Sequence, residues 1–255
     1  MSRFAALLAP WALIALLLGG WELACRALHV PSYFLPPPSA IAVTLIEDWR
    51  SLLQAAAYTL SNAVAALVLA SLLGQGLALA VTMSRILERA IQPITVVLQV
   101  TPVIAIAPLV NIWAGTDHPE RALVALATIV AFFPIYSGAV TGLRSADPDL
   151  VRLFELYGAR RNQTLARLRL PSAVPFLLEG HKVAAGLAIV GTVVAEFVAG
   201  SGKVQGLAWR ILDASFKLQA AKMFAALVML GILGVALYAL LQAVERAGLK
   251  WWRGR

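Results

Sequence analysis

"SLLQAAAYTLSNAVAALVLASLLGQGLALAVTMS", residues 51–84, runs for 34 positions without an Asp, Glu, Lys or Arg. A helix needs about 20 mostly apolar residues to cross a bilayer, within a range of roughly 17–25. This run is long enough to cross at a tilt or to begin in an outer loop. Four more uncharged runs, 4–21, 90–116, 122–143 and 223–244, have 18, 27, 22 and 22 residues. Over all 255 residues, 60% are hydrophobic and 13% charged. Soluble domains carry roughly 45–50% apolar and about 25% charged residues. A soluble globule could not hide so much apolar surface, and disorder is excluded for the same reason. A sixth span with polar ends is expected over 173–199, where Glu179, Lys182 and Glu196 interrupt the apolar pattern. The expected fold is all-α: one polytopic membrane domain over 1–255, with spans near 4–23, 55–83, 91–113, 122–143, 173–199 and 222–244.

The net charge of +8 invites a nucleic-acid partner, but the basic residues are sorted by loop. With the N-terminus inside, 13 Lys and Arg fall in inner loops and tails and 6 in outer loops. That bias fits the positive-inside rule and predicts two cytoplasmic termini, with Trp251 and Trp252 at the inner interface. No nucleic-acid partner is expected. Cys25 is a lone cysteine, so no disulfide framework or multi-cysteine metal site is available. Glu22 and Arg26 stand where a signal peptide would carry a cleavage site, which predicts an uncleaved first helix.

Prolines punctuate the runs. Pro36, Pro37 and Pro38 make a stiff extended segment, after which Ser39 is expected to cap an interfacial helix over 40–50. The 91–113 span contains Pro93, Pro102 and Pro108. A helix so placed is kinked or broken, and either lines a cavity or simply packs around the kink. Gly138 and Gly142 have the spacing that lets two helices approach closely.

Between the fourth and fifth spans lies "RSADPDLVRLFELYGARRNQTLARLRLP", residues 144–171. Asp147 is a good N-cap and Pro148 a good first helical residue. Leu150, Val151, Phe154 and Tyr157 fall near one helical face. Gly158 suits the left-handed position that ends a helix. A second short helix, with Leu165 and Leu168 apolar, is expected to stop at Pro171. Such a loop is too long merely to connect. It is built either to dock a partner or to lie on lipid headgroups through its six arginines.

The Gly158, Leu170, Pro171 spacing is that of the EAA motif. Together with "LPPPSAI" at 35–41, "TPVIAIAPLVNIWAG" at 101–115, "FFPI" at 132–135, "GLRSADPDLV" at 142–151, "LPSAVP" at 170–175 and "VVAEFVAGSG" at 193–202, it resembles the permease subunits of bacterial ABC importers, in the nitrate/sulfonate/taurine branch. The resemblance implies the MetI-like type I importer fold and a homodimer in the cytoplasmic membrane. It implies two separate ABC ATPase subunits that hold ATP and Mg, and a periplasmic or lipid-anchored solute-binding protein. It makes 144–171 the coupling loop, with Asp149, Leu150, Phe154, Gly158, Ala159, Arg160, Leu170 and Pro171 as the residues that meet the ATPase. The family's glutamate position is Arg152 here, its two alanines are Leu153 and Phe154, and Glu155 lies out of register.

The chain has no phosphate-binding GxxxxGK[ST] loop. No catalysis, cofactor or metal site of its own is expected. His29, His118 and His181 are scattered, and the Asp residues do not cluster as a membrane enzyme would need. Polar residues expected on the pathway or its gate are Gln99, Thr101 and Asn111 in the third span and Glu196 near the outer end of the fifth. Glu196 is expected either to shape an outer gate or dimer contact, or to snorkel or pair with Lys203. Glu179 and Lys182 are expected to pair. An ion-coupled secondary transporter is the competing class. It would carry paired mid-membrane acids and inverted repeats, and neither is visible. The transported solute is expected to be a small anion or vitamin-precursor heterocycle.

Overall fold

The computed structural model describes residues 3–115, 118–199 and 205–253, with side chains described over 9–115, 118–199 and 205–250. The described residues are helical almost throughout and contain no strand. They fall into two compact units, 1–57 with 205–231, and 58–204 with 232–255.

The first unit holds α1 (Arg3–Ala27), α2 (Pro38–Glu47), the start of α3 (Trp49–Met83), α10 (Leu207–Phe216) and the start of α11 (Ala220–Arg253). The short helix expected over 40–50 runs over Pro38–Glu47 and so begins at Pro38, not after Ser39. Pro37 is its N-cap, and Pro38 fits the first helical position because the N–H it lacks would have no partner there. Ser39 has another task. Its N–H and hydroxyl donate to the Glu22 carboxylate at 3.0 and 2.7 Å, and Arg26 Nε donates to the same carboxylate at 2.7 Å. One acid therefore ties the end of α1 to the start of α2. Lys222 on α11 lies 3.6 Å from Asp48, and Trp21 packs against Phe224.

The second unit is built on α6 (Pro119–Arg144) and α9 (Leu170–Ala199). Their seam is glycine-lined. A Cβ at Gly138 would lie 2.9 Å from the Phe176 carbonyl oxygen, and one at Gly180 would lie 2.9 Å from that of Pro134. At Gly142 and Gly191 it would meet the Cα of Ala173 and Ala127 at 2.9 and 2.8 Å. Absent side chains let the two backbones touch. At one end of the seam Ala78 and Val81 of α3 pack with Tyr136, Ala139, Leu143 and Ala173.

Four described helices are long and apolar enough to cross a membrane: Trp49–Met83, Pro119–Arg144, Arg161–Ala199 and Ala220–Lys250. The expected third span is not one helix. α4 (Arg85–Val100) and α5 (Val103–Ala114) meet at 102°. The bend falls at Thr101–Pro102, where Thr101 is extended at φ −71, ψ 123. The proline ring forces this by crowding the residue before it out of the helical region. Pro93 and Pro108 sit inside their helices and break neither. Counting the bent pair as one span gives five among the described residues. The remaining expected span, 4–23, falls on α1, which has 25 residues, and the side chains of 4–8 lie outside the described ones. The side chains of Trp251 and Trp252 lie outside the described ones.

Candidate functional site

The 144–171 loop is fixed at both ends. Arg144 pairs with Glu88 on α4 at 2.7 Å. The Ser145 hydroxyl lies 2.8 Å from the Gly142 carbonyl and 3.3 Å from that of Ser172. Asp147 then starts α7 (Pro148–Leu156). Its carboxylate accepts from the Asp149 N–H at 2.8 Å, and Pro148 takes the first helical position, as the residue order predicts.

Gly158 ends α7 in the left-handed region at φ +67. The Gly158 N–H donates to Glu155 at 2.9 Å and the Ala159 N–H to Phe154 at 2.9 Å. These paired bonds form a Schellman motif, which satisfies carbonyls the helix end would otherwise leave open. No atom lies within 4 Å of a Cβ built at Gly158, so backbone conformation alone calls for glycine there.

α7 has no buried residue. Leu150 and Leu153 are exposed, and Leu156 and Tyr157 are 85% and 84% exposed. Phe154 is half-buried. Val151, expected on the face of Leu150, Phe154 and Tyr157, instead lines a cavity together with Glu155 and Ala159, while Leu150, Leu153, Leu156 and Tyr157 stay outside it and exposed. Asp149 pairs with the exposed Arg152 at 3.3 Å, so the residue at the family's glutamate position makes a local ion pair. Arg160 N–H donates to Gln163 Oε1 at 2.7 Å and opens α8 (Arg161–Thr164).

Pro171 does not stop the second helix. α8 passes through a π-helical turn, Leu165–Arg169, straight into α9. Leu170 N–H donates to Leu165 O. In an α-helix Pro171 would lack its N–H bond and press its ring on the Arg167 carbonyl; the wider turn just before it leaves room for the ring. Leu170 and Pro171 therefore belong to the foot of α9, not to the exposed face of α7.

The expected pathway residues separate. Gln99 and Thr101 line a cavity of about 330 Å³ at the α4–α5 bend, with Phe132, Phe133 and Leu187 among its walls. Asn111 is half-buried further along α5 and does not line it. Glu196 is fully buried, and Thr59 Oγ1 donates to its carboxylate at 2.8 Å. It cannot snorkel or offer a surface contact; it joins α3 to α9. Lys203, its expected partner, lies outside the described residues.

One polar cluster, and one partner of a second, are not visible residue by residue in the sequence. His181 Nδ1 donates to the Leu177 carbonyl at 2.7 Å, and its Nε2 lies 2.9 Å from Ser71 Oγ and 3.1 Å from Gln75 Nε2. Lys182 pairs with Glu179, as expected, and also with Glu245 on α11 at 3.1 Å. The i, i+4 spacing of Ser71 and Gln75 was the available signal for a polar face on α3.

Residues 66–248 match the family described as "Binding-protein-dependent transport system inner membrane component". Among curated relatives, the chain is 31% identical to a formylaminopyrimidine transport permease of Halalkalibacterium halodurans, over 98% of both chains. It is 32% identical to a riboflavin transport permease of Chloroflexus aurantiacus, over 93% of this chain and 88% of the relative. It is 29% identical to a putative aliphatic sulfonates transport permease of Bacillus subtilis, over 96% and 86%. With most of its length matched, this all-helical chain belongs to the inner-membrane components of binding-protein-dependent transport systems, the permeases of ABC transporters.

Proposed function

We propose that two copies of this chain form the membrane pathway of an importer driven by a separate ATPase, and that α7 is the element through which ATP hydrolysis reaches the pathway. The observation that carries this is the two-sidedness of α7. One face turns toward the body of the permease; the other leaves Leu150, Leu153, Leu156 and Tyr157 exposed on a short helix capped at both ends. A rigid apolar ridge of this kind fits a groove on a partner. Both termini and this loop face the cytoplasm in this reading, in keeping with the basic bias. ATP and Mg bind the partner, and a solute-binding protein delivers the solute from outside.

Polar groups within the spans supply the pathway. Gln99 and Thr101 at the bend, and His181 with Ser71 and Gln75, are the groups assigned to it. His181 and Gln75 each lie eight residues from the inner end of an expected span, about 12 Å into the bilayer. The solute is a small anion or heterocycle, by analogy with the sulfonates, formylaminopyrimidine and riboflavin in the relatives' names.

Purification of the tagged chain from its host's membranes tests the reading. It should bring down a second, differently tagged copy and a subunit that hydrolyses Mg-ATP. A chain recovered alone and monomeric from several mild detergents would refute it.

A further inference from the structure

Behind α7, on the side away from its exposed face, lies a cavity of about 630 Å³. One wall is the α3–α4 corner at Met83, Ser84 and Arg85; the other is Val151 and Glu155 of α7 with the π-helical turn. Arg85, Arg161 and Arg169 line it against a single carboxylate, Glu155. Among the described residues none of the ion pairs uses these three guanidiniums. Arg85 comes from the α3–α4 corner and Arg161 and Arg169 from the continuous α8–π turn, and their shared positive charge around one cavity favours an anion among them. Guanidinium forks match phosphate oxygens in pairs, and the π turn that brings Arg169 here is a rare conformation favoured at functional sites.

We propose that this cavity binds a phosphate-bearing anion, and that the anion is the headgroup of an acidic phospholipid. The position selects the source. The cavity lies at the end of one membrane-crossing helix, Trp49–Met83, and at the foot of another, Arg161–Ala199. Headgroups lie at that level. Ile86, at the cavity edge, is 84% exposed and offers an apolar surface beside an acyl chain. A bound headgroup would bridge the α3–α4 corner and the inner face of α7, so that the loop is held in place by lipid as well as by protein.

The full-length chain in lipid nanodiscs of equal phosphatidylglycerol and phosphatidylcholine, released for native mass spectrometry, tests this. Wild type should retain phosphatidylglycerol over phosphatidylcholine. The double variant Arg85→Gln/Arg169→Gln should lose that preference by about tenfold or more, a hydrogen bond to a charged group contributing roughly a factor of ten. Arg167→Gln removes one charge from the same loop but outside the cavity, and should leave the preference intact. Arg85→Lys/Arg169→Lys keeps the charge and should fall between, which separates a lost site from a lost fold. In parallel, inorganic phosphate is titrated calorimetrically into the chain in pure phosphatidylcholine nanodiscs. Arginine-dependent phosphate binding without phosphatidylglycerol preference would support the anion site with a soluble source and overturn the lipid. Equal retention of both lipids with no phosphate binding, or equal losses from the Arg167 and double-glutamine variants, would overturn the site.

Discussion

The α6–α9 seam predicts its own destabilisation by a single methyl group. In Gly180→Ala the new Cβ would stand 2.9 Å from the Pro134 carbonyl oxygen, and in Gly138→Ala it would stand 2.9 Å from that of Phe176. Ordinary contact for a Cβ begins at 3.4 Å, so the helices must part by roughly 0.5 Å or more. Forcing a methyl group into such a core costs about 1–3 kcal/mol. Against that, alanine is favoured over glycine within a helix by about 1 kcal/mol. Gly186 lies on the same helix with nothing within 4 Å of its Cβ, so Gly186→Ala shows the helical gain without the clash. The difference between the Gly180 and Gly186 variants isolates the packing cost. At roughly 2–4 °C per kcal/mol for a chain of about this size, the two midpoints should lie on the order of 5 °C apart in detergent. Fluorescence-detected thermal unfolding measures it. Equal midpoints would mean that α6 and α9 do not meet through these glycines.

Gly158→Val must hold a β-branched residue at φ +67; any side chain there costs about 1–2 kcal/mol, and valine more. The variant should insert normally yet lose transport in a whole-cell uptake assay, while Gly158→Asn keeps most of it. Thr59→Val deletes the hydroxyl donated to buried Glu196 and should cost about 2 kcal/mol in thermal stability, restored by Thr59→Ser; an unchanged midpoint would remove that tie. A reporter active only in the periplasm, fused after Arg255, should be silent, and activity there would reverse the proposed topology.

Local chemistry was legible in the residues, and distant partnership was not. The apolar runs, the Asp147–Pro148 start, the Gly158 stop and the break near Pro102 each depend on a few consecutive residues, so they can be read from the chain alone. Pro171 does not stop the helix because the stop rule assumes α-helical spacing, and a π turn lies just before it. Ser39 looked like a cap because serine usually is one; its hydroxyl is used by Glu22, 17 positions away. Glu196 stood near a helix end, where exposure is the ordinary expectation. It is buried instead, and Thr59, 137 positions earlier, donates to it. His181 seemed isolated for the same reason, since Ser71 and Gln75 are more than 100 positions distant. Gly138 and Gly142 were a weak signal alone, and became a seam only when Gly180 and Gly191 were found on the helix they face.

The central claim is that the exposed face of α7 meets an ATPase subunit while its opposite face stays with the permease. Single cysteines placed by Leu156→Cys and Val151→Cys, each in a Cys25→Ala background, test it in membranes carrying the assembled transporter. A short bifunctional thiol reagent should join the Leu156→Cys chain to an ATPase subunit bearing cysteines around its docking groove, and leave the Val151→Cys chain unjoined. Joining from Val151→Cys instead, or from neither position, would contradict the account.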